Sequence, residues 1–183
     1  MLIVRDSAYL ETVYPAQDYS YHSYRNIDIK DFEEAAIYLA EMGYYVFRMG
    51  KIVKDKFDVK HKKIFDYANM KERSDFLDIF LCSICSFAIS TSTGIDGVVS
   101  VFKKLFGSII APIGHANSTP NVILYPKIIF SNKSQKNLPL KDILKNGYMS
   151  ISKSSDYSLS DLKIVNPNSS QIKDFAEEMH ERF

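Results

Sequence analysis

The stretch Ser74-Asp75-Phe76-Leu77-Asp78-Ile79-Phe80-Leu81-Cys82-Ser83-Ile84-Cys85-Ser86-Phe87-Ala88-Ile89-Ser90-Thr91-Ser92-Thr93-Gly94 reads in turn as helix, strand and loop. Ser74 is a good N-cap residue, and Asp75 and Asp78 suit the positive end of a helix. Apolar residues then surround the helix, which predicts packing on more than one side. Phe87-Ala88-Ile89-Ser90 has the length and apolar character of a buried strand. The loop Ser90-Thr91-Ser92-Thr93-Gly94 places small hydroxyl residues and a glycine just before the next helix. Backbone N–H groups and hydroxyls in such a loop can receive an anion, most often a nucleotide phosphate.

Outward from this stretch, strand and helix alternate. Leu2-Ile3-Val4 reads as a short buried strand, and residues 7 to 27, with tyrosines at 9, 14, 19, 21 and 24, read as an ordered loop. A helix opens at Asp28 or Lys30, continues through Phe32, Ala36 and Leu39, and stops at Gly43. Tyr44 to Met49 is aromatic and β-branched and predicts a strand ending at Gly50, and Ile64 to Tyr67 predicts another. Residues 51 to 63 hold six lysines and read as a solvated loop. Val98, Val99, Val101 and Phe102 mark a helix, and Ser108 to Pro112 and Val122 to Leu124 are strand candidates. Residues 131 to 168 are expected to be irregular, with a short helix at Pro139 to Lys145, and 169 to 183 to form a terminal helix capped by Ser169 or Ser170. The alternation predicts an α/β fold, a Rossmann-like three-layer arrangement with a mainly parallel sheet covered on both faces, in one domain spanning 1 to 183.

Composition narrows the function. The chain has 183 residues, 46% of them hydrophobic, enough for one substantial core. Its 23 basic and 22 acidic side chains leave a net charge of +1, which disfavours a nucleic-acid partner. No apolar run reaches the roughly 18 to 20 residues that cross a bilayer, so no transmembrane segment is expected. A cytoplasmic location is expected, with peripheral association to the inner membrane left open. Cys82 and Cys85 have the spacing of a redox dithiol or half a zinc site, but no second pair exists and both lie late in an apolar helix. Buried, unreactive thiols are expected.

In an open α/β sheet, ligands gather beyond the carboxyl ends of the strands. That edge collects Arg5 and Asp6 after the first strand, Arg48 and Gly50 after the second, and Ser90, Thr91, Ser92, Thr93 and Gly94 after the strand that follows the apolar helix. Arginine forks with a hydroxyl loop suit a diphosphate and require no metal or cofactor. Arg25 and Asn26 could position a substrate, while Asp28 is more simply a helix cap. His22 and His115 are lone loop histidines, candidate proton acceptors only.

Val4-Arg5-Asp6-Ser7-Ala8-Tyr9, Tyr24-Arg25-Asn26-Ile27-Asp28, Gly43 to Gly50, and Asp75-Phe76-Leu77-Asp78 followed by Ser90 to Gly94 resemble, in order, the motifs of a bacterial family of surface-polysaccharide glycosyltransferases of the GT-B type. They are more distantly similar to fucosyltransferases. Those enzymes end a strand in His-x-Arg, where this chain has Ile3-Val4-Arg5. The resemblance covers residues 1 to about 130. It implies a single GT-B half-domain, the donor-binding half, taking a nucleotide sugar as substrate. Arg5 would be the catalytic residue that neutralises the donor diphosphate. Arg48, Gly50, Asp78 and Ser90 to Gly94 would bind the donor, and Asp6, Arg25 and Asn26 would position substrate. A separate acceptor-binding domain or a homo-oligomer would complete the cleft. An interaction module without catalysis is the alternative, marked by a large exposed apolar patch.

Overall fold

The computed structural model describes residues 1–115 and 121–183. Its main layer is built from parallel strands β1 (Leu2–Ile3), β2 (Val46–Phe47), β3 (Ile64–Phe65), β4 (Phe87–Ser90), β5 (Leu105–Ile110) and β6 (Val122–Pro126). Strands β1, β4, β5 and β6 pair in that order as a four-stranded sheet, and β2 pairs with β3. A parallel bridge between Leu2 and Arg48, with Met49 N donating to Leu2 O at 2.8 Å, sets the β2–β3 pair against β1. The combined order is β3-β2-β1-β4-β5-β6. This is the order of a doubly wound, Rossmann-like sheet, whose switch point falls between β1 and β4.

The helices are α1 (Ala8–Val13), α2 (Glu33–Glu41), α3 (Asp75–Ile84), α4 (Asp96–Val101), α5 (Leu140–Lys145), α6 (Ser154–Leu159) and α7 (Ser169–Arg182). Adjacent strand residues point to opposite faces, so each strand feeds two cores. Leu2, Ile89 and Ile109 meet Phe32, Ala36, Ile172, Phe175 and Met179, beneath α2 and α7. Ile3, Ala88 and Phe106 meet Cys82 of α3 and Val99 of α4. Gly107 allows α7 to lie close, since a Cβ there would stand 2.8 Å from Met179 Sδ and 2.9 Å from the Phe175 ring. The expected α/β class and covered parallel sheet are thus present.

Several segments differ from expectation. Residues 7 to 27 are not a plain loop: α1 and a 3-10 helix, Ser20–Arg25, occupy them. The terminal helix lies where expected, but Asn168 caps it, in a capping box with Gln171. In residues 131–168 the short helix expected at Pro139 to Lys145 is present as α5, but the remainder is not irregular. Strand β7 (Ile128–Ser131) pairs antiparallel with β8 (Lys136–Asn137) and β9 (Leu162–Val165), and Ile129, Leu162, Ile143 of α5 and Tyr157 of α6 form a third cluster with Tyr24. The strands are too short to show a period, and the β7–β9 pairing joins residues more than thirty apart in sequence.

Helix α3 is the larger correction. Packing on more than one side was expected, yet Cys82 is its only fully buried residue. Leu77, Leu81 and Cys82 cover the sheet, whereas Phe76 is 73% exposed, Ile84 is 58% exposed, and Ile79 and Phe80 are also exposed. The Phe76 and Phe80 rings stack on the outer surface at 6.1 Å. With one layer to cover and α4 beside it, α3 leaves its second apolar face exposed among the described residues. Among the described residues no helix is long and apolar enough to cross a membrane.

Candidate functional site

At the carboxyl edge of the sheet a cleft of about 560 Å³ opens beside the switch point. It brings together Arg5, Asp6, Gly50, Asp78, Thr93 and Gly94, six of the residues singled out in the sequence. Its walls are largely apolar, with Ile3, Met49 and Ile79 among them. Volume and lining fall in the range of small-molecule pockets.

The hydroxyl loop is organised around a carboxylate that the sequence reading did not use. Ser90 Oγ donates to Asp96 Oδ1 at 2.7 Å, Thr93 N to Asp96 Oδ2 at 2.9 Å, and Thr93 Oγ1 to Asp96 Oδ1 at 3.1 Å. Burial pushes the Asp96 carboxyl up, and these hydrogen bonds pull against it. Thr91 Oγ1 accepts from Arg5 N at 2.7 Å, which joins the ends of β4 and β1 across the switch point. Ser92 adopts a left-handed conformation with φ 70°, which a non-glycine residue holds only when its surroundings enforce it. Arg25 supplies that enforcement: its Nη2 donates to Ser92 O at 2.8 Å and to Ser92 Oγ at 2.9 Å.

Arg25 does not stand alone. Arg5 Nε donates to Asn26 Oδ1 at 3.1 Å, so Asn26 orients Arg5 from the adjacent position in the chain. Behind them Lys127 is 5% exposed, and its Nζ donates to Tyr24 O at 2.9 Å and Asn26 O at 3.4 Å. Arg5, Arg25 and Lys127 act on one another electrostatically. Burial and then Arg25 lower the Arg5 guanidinium, and burial followed by Arg25 and Arg5 lowers the Lys127 ammonium to about 7. Among the described residues none of the three forms an ion pair with a carboxylate. Lys127 was missed because the strand candidate was stopped at Leu124. Strand β6 runs to Pro126, and the same carboxyl-edge rule that selects Arg5 then selects Lys127.

Arg48 behaves differently. It is 1% exposed and bound to Asp66 at 3.1 Å and Asp6 at 3.8 Å, so its charge is already compensated. Asp6 also receives Ala8 N and Lys54 N, both at 2.9 Å, and so ties the chain after β1 to the lysine-rich loop. Gly50 follows with φ 154°, and a Cβ there would stand 2.5 Å from Val53 Cγ1. Across the cleft, Asp78 Oδ2 pairs with Arg73 Nη2, which also reaches Asp75 at 2.9 Å. Asp78 also acts on the Tyr67 phenol, which burial raises.

The remaining candidates lie apart. His22 packs its ring 4.1 Å from that of Tyr21, and the side chain of His115 lies outside the described residues. Cys82 is buried and its thiol is pushed up to about 12, chiefly by burial, and burial raises Cys85 as well. Among the described residues no three His, Cys, Asp or Glu side chains gather as a metal site. Comparison of the chain with protein-family models, with curated proteins and with solved structures found no match.

Proposed function

We propose that this chain is the donor-binding half of a glycosyltransferase that moves a sugar from a nucleotide-diphosphate donor to a cell-surface glycan. One observation carries the reading: Arg5, Arg25 and Lys127 converge at the carboxyl edge of a parallel sheet, and among the described residues none of them forms an ion pair, Asp6 acting on Arg5 and Asp96 on Arg25 only from farther off. Uncompensated cations in a half-buried place are expensive unless an anion joins them. The neighbouring cleft has room for the uncharged remainder of a nucleotide sugar. Developing charge on the leaving diphosphate would be stabilised by Arg5, held in aim by Asn26, which is the electrostatic route such a departure needs. The ordered resemblance of residues 1 to about 130 to GT-B donor domains supports the same ligand class. Turnover would require an acceptor-binding domain across the cleft.

Titration calorimetry with GDP-, UDP-, dTDP- and CMP-sugars, and with inorganic diphosphate, tests the reading. Binding by at least one nucleotide sugar, weakened by added salt, is expected. No binding by folded protein overturns it.

The exposed apolar face of α3 favours a second reading, a paired half-domain that acts as an interaction module. Size-exclusion chromatography distinguishes the two: self-association reversed by Phe76→Ser, in protein that binds no nucleotide, would favour the second.

A further inference from the structure

Resting on the donor-binding reading, we infer that Lys127 is the positioning residue of the anion site: it clamps the backbone on both sides of Arg25, aims Arg25 and Arg5 at a common point, and completes their charge when a diphosphate arrives.

The argument begins with hydrogen-bond counting. An ammonium has three N–H donors and a neutral amine has two. Lys127 Nζ has two acceptors, Tyr24 O and Asn26 O, and these carbonyls flank Arg25 in the chain. The same short segment therefore carries the clamp, the guanidinium that grips Ser92, and the amide that orients Arg5. Releasing the clamp would loosen both arginines at once. The segment has other restraints as well, to which the Lys127 clamp adds: Asn26 N donates to Ser23 O at 3.0 Å, Ile27 N to Arg5 O at 3.3 Å and Asn166 Nδ2 to Asn26 O at 3.1 Å, Ser154 Oγ accepts from Tyr24 N at 3.3 Å, and Tyr24 and Ile27 are buried. Lys127 is itself fixed from below, its N donating to Ile110 O at 2.8 Å at the end of β5.

The charges around the ammonium point the same way. Arg5 faces it from the end of β1, and Arg25 from the 3-10 segment. The Tyr24 ring beside Arg25 packs 5.5 Å from Tyr157 of α6, and burial raises both phenols, so neither supplies a negative charge near neutrality. Asp96 lies beyond Arg25, held by Ser90 and Thr93. The neutral amine satisfies both carbonyls. The protonated form adds one charge and one N–H for which the described residues offer no further acceptor, and a phosphate oxygen would supply it. Proton uptake by Lys127 should accompany anion binding above about pH 7.

Two measurements with inorganic diphosphate test this. The first compares wild type with Lys127→Met by calorimetry from pH 6 to 9. The variant should bind about tenfold or more weakly at pH 6, as loss of a charge-assisted hydrogen bond implies. The ratio of the two affinities should shrink as pH rises above about 7. That ratio cancels the titration of the ligand, and a residue that merely supported the fold would leave it flat. The second follows the side-chain carbon signals of Lys127 in 13C-lysine-labelled wild type, so it does not depend on the variant folding. They should titrate near neutrality in the free protein and at higher pH when diphosphate saturates the site. Wild type that binds diphosphate with Lys127 signals unmoved, or a folded variant with unchanged affinity at every pH, overturns the inference and leaves the donor-binding reading standing. No binding by wild type overturns both.

Discussion

Arg5 and Arg48 stand on one edge of the sheet with opposite electrostatic surroundings, and substitution should separate them. Arg48 lies between Asp66 and Asp6, and Asp66 also accepts from Phe57 N at 3.0 Å. Arg48→Met leaves that carboxylate uncompensated and is expected to lower stability by on the order of 3 kcal/mol, read by urea denaturation. Arg5→Ala removes a guanidinium that no carboxylate holds. It should leave stability nearly unchanged and weaken diphosphate binding roughly tenfold to a hundredfold, read by calorimetry. By strand position alone the two arginines were equivalent, and the partners Asp66 and Asn26 that distinguish their surroundings were not visible in the sequence. Lys127 adds a pH dependence whose sign follows from its lowered value. The unfolded chain holds this proton up to about 10.5 and the folded chain only to about 7, so the unfolded state binds more protons between those values. The penalty for burying the charge is complete below pH 7 and is relieved as pH rises toward 10. Lys127→Met should therefore be more stable than wild type by up to a few kcal/mol near pH 6, with the advantage fading toward pH 10. An advantage constant with pH would refute the assignment of this titration.

At the scale of elements, α3 shows what an apolar sequence does and does not specify. Ser74, whose Oγ accepts from Leu77 N at 3.2 Å, starts the helix where the sequence placed it. Its length and type were legible because capping and hydrophobic content are local. How many sides it buries depends on which elements arrive beside it, and the sheet, α4 and Tyr67 cover its inner side while Phe76, Ile79, Phe80 and Ile84 stay exposed. Phe76→Ser and Phe80→Ser should therefore change monomer stability by no more than about 0.5 kcal/mol, whereas Ile172→Ala in α7, fully buried, should cost about 2 to 5 kcal/mol. Urea denaturation at low protein concentration checks both. Equal losses at the two sites would mean that the outer face of α3 is covered in solution. Cys82, on the inner face, should resist a thiol reagent until the protein unfolds, and Cys85, partly exposed but raised by burial, should react slowly. The 3-10 helix Ser20–Arg25 was not legible for a related reason. It is too short to show a period, and long-range contacts to Lys127 and Ser154 hold it in place.

Across the whole molecule, the strand order concentrates charge at one place. With β1 and β4 adjacent, crossovers leave in opposite directions from the switch point, and the chain after β1, the loop after β4 and the end of β6 all open on the same edge. Alternation of strand and helix predicted the layers, but it could not say that residues 20 to 26 would fold back over that edge and deliver Arg25. The site is therefore assembled from four segments far apart in sequence, and an anion that bridges Arg5 and Arg25 should fasten them together. Such a ligand stabilises the folded state by RT ln(1 + [L]/Kd), about 2.7 kcal/mol at a hundredfold excess over Kd. For a chain of this size each kcal/mol raises the melting temperature by about 2 to 4 °C, so saturating nucleoside diphosphate should raise it by roughly 5 to 11 °C. The free sugar alone should give no comparable rise, because it carries no charge for the cations to hold. The shift should fall as salt goes from about 0.05 to 0.5 M, since screening weakens half-exposed charge pairs most. It should be reduced in Arg25→Ala, which loses both an anion contact and the grip on Ser92. A shift insensitive to salt and retained in that variant would place the ligand elsewhere on the molecule.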